Sequence, residues 1–216
     1  MTTTDDIDRI PLSRERLLVA AVAFADEHGI DAMSMRKLAG SLGYEVMSLY
    51  NHVKNKGDLL NGMVEAVSDE VEVPTGDDTD WVAALRAVAV SSRDMFRRHP
   101  WAARTFINSG TGPNRLEQME AVLGVLRRAG FTEAQTCHAY HALMLHMVGH
   151  ALLAEEFPYD DEELGEAAAR FLTTLDTARY PHVTEHIHQH VHPPTGDDFE
   201  FGLDLLLDGL SRLLPR

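Results

Sequence analysis

Residues 34–56 read SMRKLAGSLGYEVMSLYNHVKNK, and this stretch decides the fold. Ser34 is a natural N-cap, Leu38, Ala39 and Leu42 recur at helical spacing, and Gly43 is placed to end the turn. VMSLYNHV (46–53) then gives a second short helix, with Leu49 as its inward anchor. Two short helices joined by a three- or four-residue turn containing glycine form the pattern of a helix-turn-helix. Such a second helix must offer side chains that reach base edges, flanked by hydroxyls, amides and cations for phosphates. Ser48, Tyr50, Asn51 and His52 are hydrogen-bonding groups, Lys54 and Lys56 follow directly, and the next helix start can add backbone N–H groups. On pattern alone, a helical hairpin with polar solvent-facing side chains remains the alternative.

Helical signals continue in both directions. Upstream, Ser13 caps RERLLVAAVAFADEH, whose Leu17, Ala20, Ala21, Phe24 and Ala25 share a face before Gly29. Downstream, Asn55 or a neighbour caps KGDLLNGMVEAVSDEVEV, and TGDDTD (75–80) is the best linker. Helices are predicted over WVAALRAVAVSSRDMFRRH, PWAARTFIN, RLEQMEAVLGVLRRAG and TEAQTCHAYHALMLHMVGHALLAEEF, with a breaker at SGTGPN (109–114). An acidic helix follows over about 160–178; YPHVTEHIHQHVHPPTGDD is less regular, and FEFGLDLLLDGLSRLL closes the chain. No alternating strand pattern and no repeat is present, so the chain is all-α with about nine to ten helices.

The 216 residues carry a formal net charge of −15, with 19 Lys+Arg against 34 Asp+Glu. Only the segment from Arg9 to Lys56 has a basic excess, and screening over about 8–10 Å makes that local balance the relevant one. The opening MTTTDDIDRIP has no basic run before an apolar core, and no apolar run reaches the ~20 residues of a bilayer span. The single Cys137 forms no internal disulfide. A cytoplasmic protein without membrane association is therefore expected. Nucleophile elbow, glycine-rich phosphate loop and HExxH are all missing, which removes the usual enzyme classes.

The run GIDAMSMRKLAGSLGYEVMSLYNHVKNKGDLL resembles the DNA-binding domain of the tetracycline-repressor (TetR) family of bacterial transcription regulators. LYNHVKNK differs at one position from LYWHVKNK of the tetracycline repressors, and FEFGLDLLLDGL is similar to the last helix of that subgroup. The resemblance implies a DNA-binding head over residues 1–56 and an effector-binding and dimerisation body over 57–216. It implies Arg36 as a helix-two contact to DNA and Val46, Met47 and Ser48 as the opening of the recognition helix. Tyr50, Asn51 and His52 match backbone-gripping positions, Lys56 matches a phosphate-contacting lysine, and Lys54 adds charge beside it. Val46 stands where the tetracycline repressors carry a base-reading glutamine, Met47 replaces a proline and Asn51 a tryptophan. Valine can touch a thymine methyl but makes no bidentate hydrogen bond, so a different operator is expected.

The resemblance further implies a homodimer on double-stranded palindromic operator DNA, released when a small molecule enters each body. The stripe Phe199, Leu203, Leu206, Leu207, Leu210 and Leu214 is the expected dimer face, with core packing as the alternative. Trp101, Phe106, Met119, Tyr140, Met144, Met147 and His150 are the candidate pocket lining, although each residue taken singly fits packing as well. Glu72 falls where the family has a pocket histidine, and the segment after VGH is shorter, both pointing away from a magnesium–tetracycline chelate. No metal cofactor is expected. Among the 12 histidines, His146 and His150 lie one helical turn apart. In HVTEHIHQHVHPP, a helix puts His182, His186 and His190 on one face and His188 and His192 on the other, whereas an extended segment aligns 186, 188, 190 and 192. A solvated connector is the favoured reading, and a metal-responsive regulator is the alternative function.

Overall fold

The computed structural model describes residues 11–74, 80–156, 161–191 and 197–215. Eleven helices and no strand are found among them. In chain order they are α1 (Arg14–His28), α2 (Met35–Leu42), α3 (Val46–Tyr50), α4 (Lys56–Ser68), α5 (Trp81–Arg98) and α6 (Ala102–Asn108). α7 (Pro113–Arg128), α8 (Glu133–Glu156), α9 (Asp161–Leu172), α10 (Pro181–Val191) and α11 (Asp198–Ser211) follow. The expected linker at 75–80 lies outside the described residues except for Asp80, which caps α5 through Val82 N–H.

The predicted caps are made locally. Ser13 Oγ accepts from Arg16 N, Ser34 Oγ from Lys37 N and Asn55 Oδ1 from Asp58 N. Gly43 ends α2 at φ +70°, a left-handed turn that favours glycine and brings Tyr44 N–H to Ala39 O at 2.9 Å. The recognition helix is shorter than its sequence pattern suggests, because after Asn51 the chain turns towards α4. Leu17, Ala21, Leu38, Leu49, Val53 and Leu59 form the buried centre of the head.

α4 is shared. It packs along α1 at one end and against α6 and α7 further on, so Leu59, Met63, Val64 and Val67 belong to one continuous core. α5, α7, α8 and α11 complete the body, where Phe131, Leu126, Leu143, Phe199, Leu203 and Leu207 are fully enclosed. Arg86 pairs with Glu200 and Asp204, and Arg93 with Asp197 and Glu200, tying α5 to α11 by charge.

The 181–191 segment, left between helix and extended chain by the sequence, is helical, and with α10 the helices among the described residues number eleven. It pairs with α9, where Gly165 lets the His190 carbonyl approach. His182, His186 and His190 therefore share a face, His188 faces elsewhere, and His192 lies outside the described residues. The α11 stripe packs largely within the protomer. Phe199, Leu203, Leu207 and Leu210 turn into the protomer's own core, while Leu206 and Leu214 are half-buried. Phe201, at 67% exposed, and Leu205, at 59%, form the opposite face, and α8 leaves Leu145 and Leu153 exposed. A helix with leucine on nearly every side hides in its sequence which stripe is turned inward.

Candidate functional site

The head presents α3 on a scaffold fixed from both sides. Leu49 is fully buried, whereas Met47 is 72% exposed and Tyr50, Asn51 and Glu45 also face outward. Val46, Ser48 and His52 are half-buried at the margins. On α2, Arg36 and Lys37 are exposed, and Lys54 and Lys56 project near the start of α4. Lys56 Nζ donates to Met33 O at 2.8 Å, which pins the α1–α2 connection as well as carrying charge. The sequence-predicted DNA residues thus fall on α2, α3 and the α3–α4 turn.

Sequence reasoning missed the clamp that holds this face in place. Arg14 donates to His52 O at 2.8 Å and to Asp58 Oδ1 at 2.8 Å, while Lys54 N–H donates to Asp58 Oδ2 at 2.8 Å. The Arg14 hydrogen bond, followed by the Lys54 backbone bond, holds the Asp58 carboxyl below its usual value near 3.8. A second joint links head to body. His99 Nδ1 lies 2.8 Å from Asp26 Oδ1, its Nε2 lies 3.0 Å from Glu70 Oε1, and Trp101 Nε1 donates to the same Asp26 oxygen at 2.7 Å. One buried imidazole therefore touches acids from α1 and from the turn after α4. No local motif marks either joint, because apart from the Lys54–Asp58 bond the partners are 29–75 residues apart.

The body holds a cavity of about 250 Å³ between α5, α6, α7 and α8. Phe106, Met119, Tyr140, Met144 and Met147, all expected there, line it together with Val71, Phe96, Arg115, Gln118 and other side chains. Burial pushes the Tyr140 phenol up. Trp101 is elsewhere, because its indole is committed to Asp26 under α1. His150 lines a neighbouring cleft of about 200 Å³ with Arg93, Arg97 and Glu155, its ring edge on Phe199 at 5.0 Å, and burial holds it below the usual histidine range. Glu72 is exposed and bonds through its N–H to Ser91 Oγ.

α4 reaches this cavity through α7. Glu65 Oε1 accepts from Gly112 N and Oε2 from Asn114 N, both at 3.0 Å, so an α4 carboxylate caps the α7 N-terminus. A Cβ at Gly112 would overlap that carboxylate, so the capping geometry requires glycine. Asn114 Nδ2 adds a 2.7 Å bond to Asp69, and Gln118 donates to Ser68 O. Among the described residues no three His, Cys, Asp or Glu side chains gather as a metal site, although His186 and His190 approach to 3.4 Å. None of the described helices is long and apolar enough to cross a membrane.

The family model for bacterial regulatory proteins of the tetR family matches residues 17–63, and that for the tetracyclin repressor-like C-terminal domain matches 73–214. The chain belongs to the TetR family. Similar relatives include the HTH-type transcriptional repressor DrrR1 of Streptomyces coeruleorubidus, 35% identical over 95% of this chain and 79% of that protein. The class C tetracycline repressor of Escherichia coli is 30% identical over 94% and 92%. Among solved structures, ActR of Streptomyces coelicolor in complex with actinorhodin superposes with a TM-score of 0.79 at 29% identity, covering 95% of this chain and 100% of that one. This TetR-family chain is a DNA-binding transcription regulator, not an enzyme, of a family that responds to small-molecule ligands.

Proposed function

We propose that the protein is a repressor that binds a palindromic operator as a homodimer and leaves it when a small molecule fills the body cavity. The observation that carries this reading is the double attachment of α4. Asp58 at its start belongs to the Arg14 clamp of the head, and Glu65 near its end caps the helix that lines the cavity. A ligand that binds better when α7 and α4 are displaced draws the population towards heads set for a different spacing; differential affinity supplies the whole effect.

In this reading residues 1–56 are the reading head and 57–216 the sensing and pairing body, with α4 serving both. Arg36, Tyr50, Asn51, His52, Lys54 and Lys56 grip the phosphate backbone, and Val46, Met47 and Ser48 meet base edges. One five-residue helix makes few contacts, so two copies about 34–36 Å apart are needed for tight specific binding. The exposed Phe201 and Leu205 of α11 and Leu145 of α8 supply the pairing face, next to the half-buried Leu206 and Leu214 of the stripe expected from sequence. Relatives whose bound ligands are named include ActR with actinorhodin and a TetR of Acinetobacter baumannii with minocycline. That company and the largely apolar lining support an organic effector, and among the described residues no assembled metal site supports a metal response.

Selection of bound fragments from a random DNA pool tests the reading. Recovery of a palindrome whose half-sites lie about one helical turn apart is expected. Enrichment of a single half-site, or of no sequence, overturns it.

A further inference from the structure

The cavity contains a cation that its surroundings do not explain. Arg115 sits in the first turn of α7, where a positive charge opposes the helix dipole. Its guanidinium is half-buried and lies over the Phe106 ring, 3.6 Å from the centroid. Nη1 donates to Ser109 Oγ at 2.9 Å and to Gly110 O at 3.1 Å, which fastens the turn before α7. Nε, shut off from solvent, has no hydrogen-bond partner. Among the described residues no carboxylate comes within 4.0 Å of the guanidinium. Glu65, the acid that acts on it from a distance, is already held by the Gly112 and Asn114 amides. Burial holds the Arg115 value down, the expected result when a charge loses water and gains no counter-ion.

A structural clip for residues 109–110 needs one nitrogen and no charge. A guanidinium is costly to bury unless an anion completes it, and its planar fork suits a carboxylate. Around it the cavity wall is aromatic and thioether-rich, with Phe96, Phe106, Tyr140, Met119, Met144 and Met147. Such walls suit flat π-systems, because methionine sulfur and ring edges pack against aromatic faces. An apolar cavity of about 150 Å³ accepts one benzene ring, so about 250 Å³ accommodates two or more fused rings.

We propose that the effector is a flat, multi-ring aromatic acid whose anionic group pairs with Arg115 while its rings lie among Phe106, Tyr140 and the methionines. This rests on the reading of the cavity as the effector site. Because Arg115 belongs to the same first turn of α7 that Glu65 caps, the anion would engage the cavity at the point where it is joined to α4.

Calorimetry on the full chain tests the proposal, using 2-naphthoate, anthracene-2-carboxylate and the primary amide of each. At least one acid is expected to bind about tenfold or more tightly than its amide, the ratio that roughly 1.4 kcal/mol of charge-assisted bonding gives. Arg115→Gln should erase that preference and leave amide affinity within about threefold. An amide that binds as tightly as its acid, or a preference that survives Arg115→Gln, overturns the anionic class and leaves the cavity reading standing. If neither acids nor amides bind, the cavity reading falls and the proposal falls with it. The acid–amide comparison in the unaltered protein decides the matter even if the variant does not fold.

Discussion

At the scale of single residues, contacts to DNA divide into those that position and those that specify. Arg36 is exposed on α2 and grips phosphate in the proposed reading, so Arg36→Ala should weaken binding to all sequences alike. The slope of log affinity against log salt should fall by about 1 in a titration series. Val46→Gln, by contrast, should alter the preferred base at one position of each half-site and leave the salt slope unchanged, as read by competition with single-base variants. Asp58 makes a pH-dependent contribution. Its folded-state value is depressed, first by Arg14 and then by the Lys54 N–H, so it stabilises the head above the ordinary carboxylate value near 3.8. That stability is lost as the pH falls through the lower, folded value. Asp58→Asn should therefore cost roughly 1–2 kcal/mol at pH 7. In thermal melts the gap to the parent should narrow as the pH drops below about 4.

At the scale of elements, α4 is the part that, in the proposed mechanism, carries sensing to the DNA. Glu65→Gln keeps the size of the side chain but removes the charge and one acceptor from the cap of α7. Ligand affinity should change little, while ligand-driven release of operator should be blunted several-fold in anisotropy titrations. Undiminished release would mean that coupling runs by another route, such as the Asp26–His99–Glu70 joint. The legibility of these elements in the sequence follows their range. Ser13, Ser34, Asn55 and Gly43 act on backbone groups a few residues away, so their roles were readable from spacing. The Glu65 cap acts on amides 47 and 49 residues distant, and nothing local announces it. α10 was ambiguous because HVTEHIHQHVH fits a period of two and a period of four equally well, and pairing with α9 decides it. Five cavity residues were legible as apolar or aromatic positions on internal helices. Trp101 misled because its polar edge found Asp26, far away in sequence.

At the scale of the whole molecule, the net charge of −15 and a DNA-binding role are compatible. Cations gather on α2 and around the α3–α4 turn, and screening confines the field of the acidic body to its own neighbourhood. Weak binding to arbitrary DNA and strong dependence on the right operator are the expected result. In the proposed function, pairing of two bodies completes the arrangement. Phe201→Glu with Leu205→Glu should yield folded monomers in sedimentation velocity with helical content intact, whereas Leu203→Glu, buried in the protomer, should unfold the chain. The central claim is that occupancy of the cavity and occupancy of the operator oppose each other in one molecule. It is tested most directly by measuring the affinity of the tightest-binding aromatic acid with and without saturating operator DNA. Operator should weaken acid binding by the same factor by which the acid weakens operator binding. An acid affinity identical in the two conditions would contradict it.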